Sequence, residues 1–164
     1  MRPRTPPLLS SLPTTTENLV ILYKNCQMAK DLLHTIVRDT LINDGWTVTH
    51  DPYQMKDYDP AWEVDFGAEK IIAAERGMEK IAVEAKSFLE TSFAHEFHGI
   101  LGQYLDYRSG LKRLEPDRKL YLAVPVEVWE ADFQRVGIKN ALNDYEVDLF
   151  LYDPIEKIIV AWIT

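Results

Sequence analysis

Glu84-Ala85-Lys86 is the stretch of this sequence best suited to chemistry. It closes the run from Ile81 to Lys86, whose alternation reads as a strand with Ile81 and Val83 on one face and Ala82, Glu84 and Lys86 on the other. A second carboxylate, Asp65, stands in an upstream strand-like run from Trp62 to Phe66. Two carboxylates supply oxygen ligands to a hard divalent cation such as Mg²⁺ or Mn²⁺. Such an ion lowers the pKa of a bound water and stabilises charge building on a phosphodiester in the transition state. A neighbouring lysine orients the attacking water or neutralises that charge. Asp65 and Glu84, with the Ala85 carbonyl, are therefore the expected metal ligands, and Lys86 is the expected assistant to the nucleophile.

A bland alternative is a surface salt bridge, since Glu-x-Lys arises often by chance. Three features weigh against it. Asp65 lies at a suitable distance upstream, Ala82 and Val83 make the strand apolar enough that charges need a reason, and the next helix carries Gln103 and Tyr107 one turn apart on one face. Gln103 is the more telling of these two, because a neutral amide positions a water or a phosphate oxygen without disturbing a cation. Tyr107 is an auxiliary candidate that can equally pack in the core. Glu69 competes with Asp65 if residues 70–75 and 79–86 form a hairpin; Asp65 is preferred because it ends a strand, leaving Glu69 as a supporting or surface residue. His34, beside the apolar stripe of the first helix, is a further auxiliary candidate or simply a boundary residue. His95-Glu96-Phe97-His98 has its histidines three apart, not the four of a zinc-protease helix, and reads as a solvated face.

The elements that would hold these residues follow from periodicity. Residues 1–27 contain Pro3, Pro6, Pro7 and Pro13, a Ser/Thr cluster and little apolar period, and read as a disordered or misassigned N-terminal extension. From Met28 the chain reads as one α/β domain, 28–164. Ala29 to Asn43 has helical spacing and stops at Asp44-Gly45; Trp46 to His50 alternates as a strand. Lys70 to Glu75 suits either a helix or the first arm of a hairpin turning at Arg76-Gly77, and the hairpin is favoured. The longest helix runs from Ser92 to Leu114 with a stripe of Phe93, Phe97, Ile100, Leu101, Tyr104 and Leu111. Leu120 to Val124 is a buried strand, Val126 to Phe133 and Ile138 to Leu142 are short helices, and Val147 to Tyr152 with Ile158 to Ile163 forms a closing strand pair. Trp46, Trp62, Trp129 and Trp162 suit a core or an interface, and an exposed patch including Trp129 would suit a partner.

Composition bounds the rest. The 164 residues suit one domain, and 46% hydrophobic with 27% charged residues is ordinary for a globular protein. No run approaches the ~20 apolar residues of a membrane helix. Cys26 is the only cysteine, so there is no internal disulfide, and the expected setting is a reducing one, the cytoplasm. The net charge of −8 argues against a generic basic nucleic-acid binder, so any DNA contact should be local or aided by a partner.

A family resemblance then covers nearly all of residues 28–164. It rests on Met28-Ala29-Lys30-Asp31, His34, the stretch from Asp44 to Pro52, Val64-Asp65-Phe66-Gly67-Ala68-Glu69 and the stretch from Ile81 to Phe88. Gly102-Gln103-Tyr104, Tyr107-Arg108, Leu120 to Pro125 and Ile159 to Ile163 add to it. On these residues the chain resembles the XisH family, the fdxN element excision controlling factors of cyanobacteria. With Asp65, Glu84-Ala85-Lys86 and Gln103-x-x-x-Tyr107 it also resembles the PD-(D/E)XK nucleases. The resemblance implies a restriction-endonuclease-like fold, a mixed β-sheet core flanked by helices. It further implies a role in programmed DNA element excision, with DNA and an XisI-like protein as partners; self-association into a homo-oligomer stays open. One departure is that the first helix offers only Asp31 and Asp39 near His34, where many relatives carry an acid that reaches the metal. Two functions remain in view: a Mg²⁺-dependent endodeoxyribonuclease, and a non-catalytic excision-controlling accessory factor working through its partner.

Overall fold

The computed structural model describes residues 16–55, 71–86, 88 and 92–164. Asp65, Glu69 and the expected strand from Trp62 to Phe66 lie outside the described residues.

Helix α1 spans Thr16–Asn43. It starts well ahead of Ala29, so residues 16–27, expected to lack structure, are helical. No proline follows Pro13 in this stretch, and each residue added to a nucleated helix gains one hydrogen bond at little further cost. Val37, Thr40 and Leu41 are fully buried and Leu33 and Ile36 pack beside them, a stripe at helical spacing. The helix stops as the sequence implies. Gly45 takes φ 87°, its N–H donates to Ile42 O at 3.0 Å, and the Trp46 N–H reaches back to Leu41 O at 3.0 Å.

Strands β1 (Thr47–His50), β2 (Ile71–Arg76) and β3 (Glu79–Ala85) run antiparallel in succession. The β2–β3 turn carries Gly77 at φ 61°, so the hairpin and not the helix is realised. Helix α2 (Phe93–Leu114) follows, with the Ser92 hydroxyl accepting from the His95 N–H at 3.4 Å, Glu96 in its first turn and Lys112 and Arg113 in its last. Next come β4 (Arg118–Pro125), α3 (Val126–Ala131), α4 (Val136–Asp144), β5 (Leu149–Asp153) and β6 (Ile158–Ile163).

The six strands form one mixed sheet in sequence order, β1-β2-β3-β4-β5-β6. β3, β4 and β5 are parallel neighbours, and β6 returns antiparallel. Parallel neighbours need crossovers; α2 bridges β3 to β4, and α3 with α4 bridges β4 to β5. Both crossovers pack on one face, where Phe97, Ile100, Tyr104, Tyr107 and Leu111 of α2 meet Leu120, Leu122, Phe133 and Leu149. The other face buries Ile81, Val83, Ala85, Tyr121, Phe150 and Tyr152 under α1. This is the mixed sheet flanked by helices that the sequence implied.

Two buried polar residues fasten the layers. The Tyr104 hydroxyl donates to Leu120 O at 3.1 Å and accepts from the Asp148 N–H at 2.9 Å, joining α2 to the starts of β4 and β5. Burial pushes that phenol up to about 12. Arg118 donates to Ile81 O (3.0 Å), Glu75 (3.0 Å) and Glu115 (2.9 Å), and Glu115 accepts in turn from the Tyr53 hydroxyl. Among the described residues no helix is long and apolar enough to cross a membrane.

Candidate functional site

The β3 register decides which side chains face α2. Ile81, Val83 and Ala85 pack beneath α1, and Ala82 packs beneath α2. Alternation sends Glu84 and Lys86 to the α2 side as well, at the carboxyl end of the first parallel strand. That end is where ligands bind in open α/β sheets. The strand's exit is held by Phe88, a non-glycine residue at φ 48°, a conformation that costs of order 1 kcal/mol or more. Its ring lies 5.6 Å from Phe133 and 6.1 Å from Phe93, in a cluster that also takes in Phe97 and Trp129. Trp129 therefore belongs to this half-buried packing and is not part of an exposed patch.

Three expected site residues come together. Lys86 Nζ lies 3.0 Å from Glu84 Oε1 and donates to Gln103 Oε1 at 2.6 Å. Glu84 is 0% exposed and Lys86 7%. A surface salt bridge is thereby excluded. A buried ion pair costs several kcal/mol of desolvation per ion, commonly more than an apolar pair of like volume would. Here the charges sit at the buried half of β3, whose neighbours Ile81, Ala82, Val83 and Ala85 are all apolar, so stability alone does not explain them.

Tyr107 is buried on the α2 face, one helical turn from Gln103. His34 Nε2 meets Asp51 Oδ1 at 2.6 Å, and Arg38 Nε lies 3.5 Å from Asp51 Oδ2. These groups line a cleft of about 550 Å³ between α1 and β1 whose lining includes neither Glu84 nor Lys86. His95 and His98 are exposed, as a solvated helix face requires. Among the described residues no three His, Cys, Asp or Glu side chains gather as a metal site. The donors present would suit a hard cation in kind: the Glu84 carboxylate and the Ala85 carbonyl offer oxygen, and among the described residues no soft ligand gathers with them. The second carboxylate of the expected set, Asp65, lies outside the described residues.

The aromatic brace around Phe88 went unassigned in the sequence, where Phe93 and Phe97 read only as helix stripe and Phe133 as a helix end. The spacing Phe88, Phe93, Phe97 was its one visible trace.

Comparison with known proteins agrees in extent with this domain. The family model of the XisH protein matches residues 27–160. A crystal structure of an XisH family protein from Nostoc punctiforme PCC 73102 is 40% identical, covering 81% of this chain and 99% of its own, with a TM-score of 0.72. A crystal structure of an fdxN element excision controlling factor protein from Anabaena variabilis is also 40% identical, covering 82% of this chain and 99% of its own, with a TM-score of 0.73. No curated protein matches. With a family model across most of its length and two solved relatives at 40% identity, the chain belongs to the XisH family.

Proposed function

We propose that this chain is a metal-dependent DNA endonuclease of the PD-(D/E)XK type, with a restriction-endonuclease-like core, acting in the excision of a programmed DNA element. The observation that carries this reading is the buried Glu84–Lys86–Gln103 constellation at the carboxyl end of β3. The excision role rests on the relative from Anabaena variabilis, named as an excision controlling factor.

In this reading Glu84 and Asp65, with the Ala85 carbonyl, hold Mg²⁺ or Mn²⁺. Such an ion, when bound there, would lower the pKa of a water and stabilise charge on the scissile phosphate. Lys86 carries a cation to the reacting phosphodiester, where it stabilises the developing oxyanion or orients the attacking water. Gln103 fixes the Lys86 ammonium through the 2.6 Å hydrogen bond. Burial strengthens each of these interactions over its value in water.

The net charge of −8 favours a second reading, in which the chain keeps the fold and acts as an accessory factor through an XisI-like partner. One assay separates them: cleavage of branched, nicked and linear DNA with Mn²⁺ by wild type, Lys86→Ala and Gln103→Ala, each with and without the partner. Metal-dependent cutting that falls by about a hundredfold or more in Lys86→Ala, and less in Gln103→Ala, is the nuclease outcome. No cutting by a folded wild type in any arm, with partner binding intact, sinks the nuclease reading and leaves the accessory one.

A further inference from the structure

Phe88 occupies a backbone that glycine would fill at less cost. Its φ of 48° lies in the left-handed region, which a residue with a Cβ enters only under strain. Gly45 and Gly77 meet the same demand at φ 87° and 61°. Glu146 and Lys157 also lie there, at φ 49° and 53°, as polar residues in the turns before β5 and between β5 and β6. Among the described residues only Phe88 puts an aromatic ring on such a backbone.

The ring's neighbours account for the residue type. It stacks on Phe93 at 6.1 Å and 22°, and meets Phe133 edge-on at 5.6 Å and 78°. Phe93 opens α2 and Phe133 follows α3, and their rings lie 5.3 Å apart. Phe97 and Trp129 close on Phe133 at 5.9 and 5.6 Å. The exit of β3, the first turns of α2 and the turn after α3 thus converge on one aromatic cluster. Glycine at position 88 would ease the backbone but leave the exit of β3 outside that cluster.

Lys86 depends on this exit. It stands one residue past β3, whose registered pairs end with Ala85 opposite Ala123. Sheet hydrogen bonds set the backbone as far as Ala85. Past it, the course of the chain toward Phe88 decides where the Lys86 side chain starts. Its acceptor Gln103 lies on α2, the helix on which the Phe88 ring rests. One helix therefore holds Phe88 by its first residue and receives Lys86 further along.

We propose that Phe88 is a positioning residue for Lys86: the aromatic cluster holds the exit of β3 in its left-handed turn, and that turn sets the Lys86 ammonium between Glu84 and Gln103. The placement of Lys86 stands on this geometry alone, and its consequence for cleavage rests on the nuclease reading above.

The test is acetylation of the native full chain by acetic anhydride, with the rate at Lys86 divided by the rate at exposed Lys139, both read by mass spectrometry. Phe88→Gly removes the ring and relieves the backbone, so it separates the ring's part from the turn's. Phe133→Leu withdraws the edge-on partner and takes its place if Phe88→Gly loses the wild-type circular dichroism. Phe150→Leu removes a ring from the opposite face of the sheet and controls for general loosening. Lys86 is 7% exposed, so the wild-type ratio should be low. Loss of the ring contacts is expected to raise the ratio about tenfold, while Phe150→Leu leaves it at the wild-type value. A ratio unchanged in the folded Phe88→Gly, or in Phe133→Leu in its place, overturns the proposal, as does an equal rise in Phe150→Leu. With DNA and Mn²⁺, Phe88→Gly should lower kcat by about tenfold or more and leave KM near wild type, because a shift of about 1 Å spoils alignment without removing a binding contact. A wild type that cuts no DNA sinks the nuclease reading, and the acetylation ratio then decides the placement of Lys86 by itself.

Discussion

Glu84 and Lys86 are worth more as a pair than either is alone. Their side chains are almost fully enclosed and their charged atoms lie 3.0 Å apart. Removing Lys86 leaves a buried carboxylate without its cation, which in such sites costs about 3–5 kcal/mol, whereas replacing both by apolar or neutral residues of like shape is often neutral. Lys86→Ala is therefore expected to lose roughly 3 kcal/mol in urea unfolding, and the double variant Glu84→Gln/Lys86→Met to lose much less. Equal losses in single and double variants would show that the pair is not coupled. A second prediction concerns Tyr53. Burial, and then its hydrogen bond to Glu115, push its phenol up to about 12. A group raised in the folded state gives stability that is intact below its unfolded value, about 10, and lost as pH rises through the folded one. Glu115 moves oppositely: burial raises its carboxyl, but hydrogen bonds from Tyr53 and Arg118 outweigh that and hold it below the usual range. Its share of stability is present above the ordinary carboxylate value and is lost as pH falls through the lowered one. Tyr53→Phe should then flatten the alkaline fall between about pH 10 and 12 and move the acid fall to higher pH, both read from urea midpoints against pH. An unchanged acid limb would mean that Arg118 alone holds Glu115.

Elements were legible in the sequence wherever burial and local pattern agree. The α1 stop needed only Asp44-Gly45, and the β2–β3 turn only Arg76-Gly77, since each glycine takes a positive φ. The meeting of Glu84, Lys86 and Gln103 was legible because strand and helix periods are rigid enough to place side chains on a face before any contact is known. Two things were hidden. The helix over residues 16–27 escaped because its start depends on propagation from a segment already folded, which composition does not report. The Phe88 brace escaped because its partner Phe133 comes from a distant element and only tertiary packing joins them. Helix α2 carries a further oddity: Gly99 and Gly102 are exposed, have ordinary helical φ, and a Cβ built on either meets nothing within 4 Å. Interior helix glycines cost about 1 kcal/mol each relative to alanine. Gly99→Ala and Gly102→Ala should each raise the melting temperature, by a few degrees for a domain of this size. A fall in either variant would reveal a neighbour that the described residues do not include.

At the scale of the whole molecule, the question is how much of the chain the fold requires. The sheet, both crossovers and the α1 stripe from Leu33 to Leu41 all lie after residue 27. The family model begins at residue 27, and relatives matched over 99% of their own length cover only 81% and 82% of this chain. Within α1, Met28 and Leu32 are exposed, and the packed stripe of the described side chains runs from Leu33 to Leu41. A helix extending beyond its last anchor gains hydrogen bonds at nearly balanced cost and contributes little to the cooperative unit. A chain starting at Met28 is therefore expected to unfold in one transition with stability within about 1 kcal/mol of the full chain, while its helical circular dichroism falls by the share of residues 16–27. Loss of cooperative unfolding would mean that the extension packs on the domain and belongs to its core. Retained folding would confine the chemistry of Glu84, Lys86 and Gln103 to the 28–164 unit, and DNA cleavage could then be assayed on that unit alone.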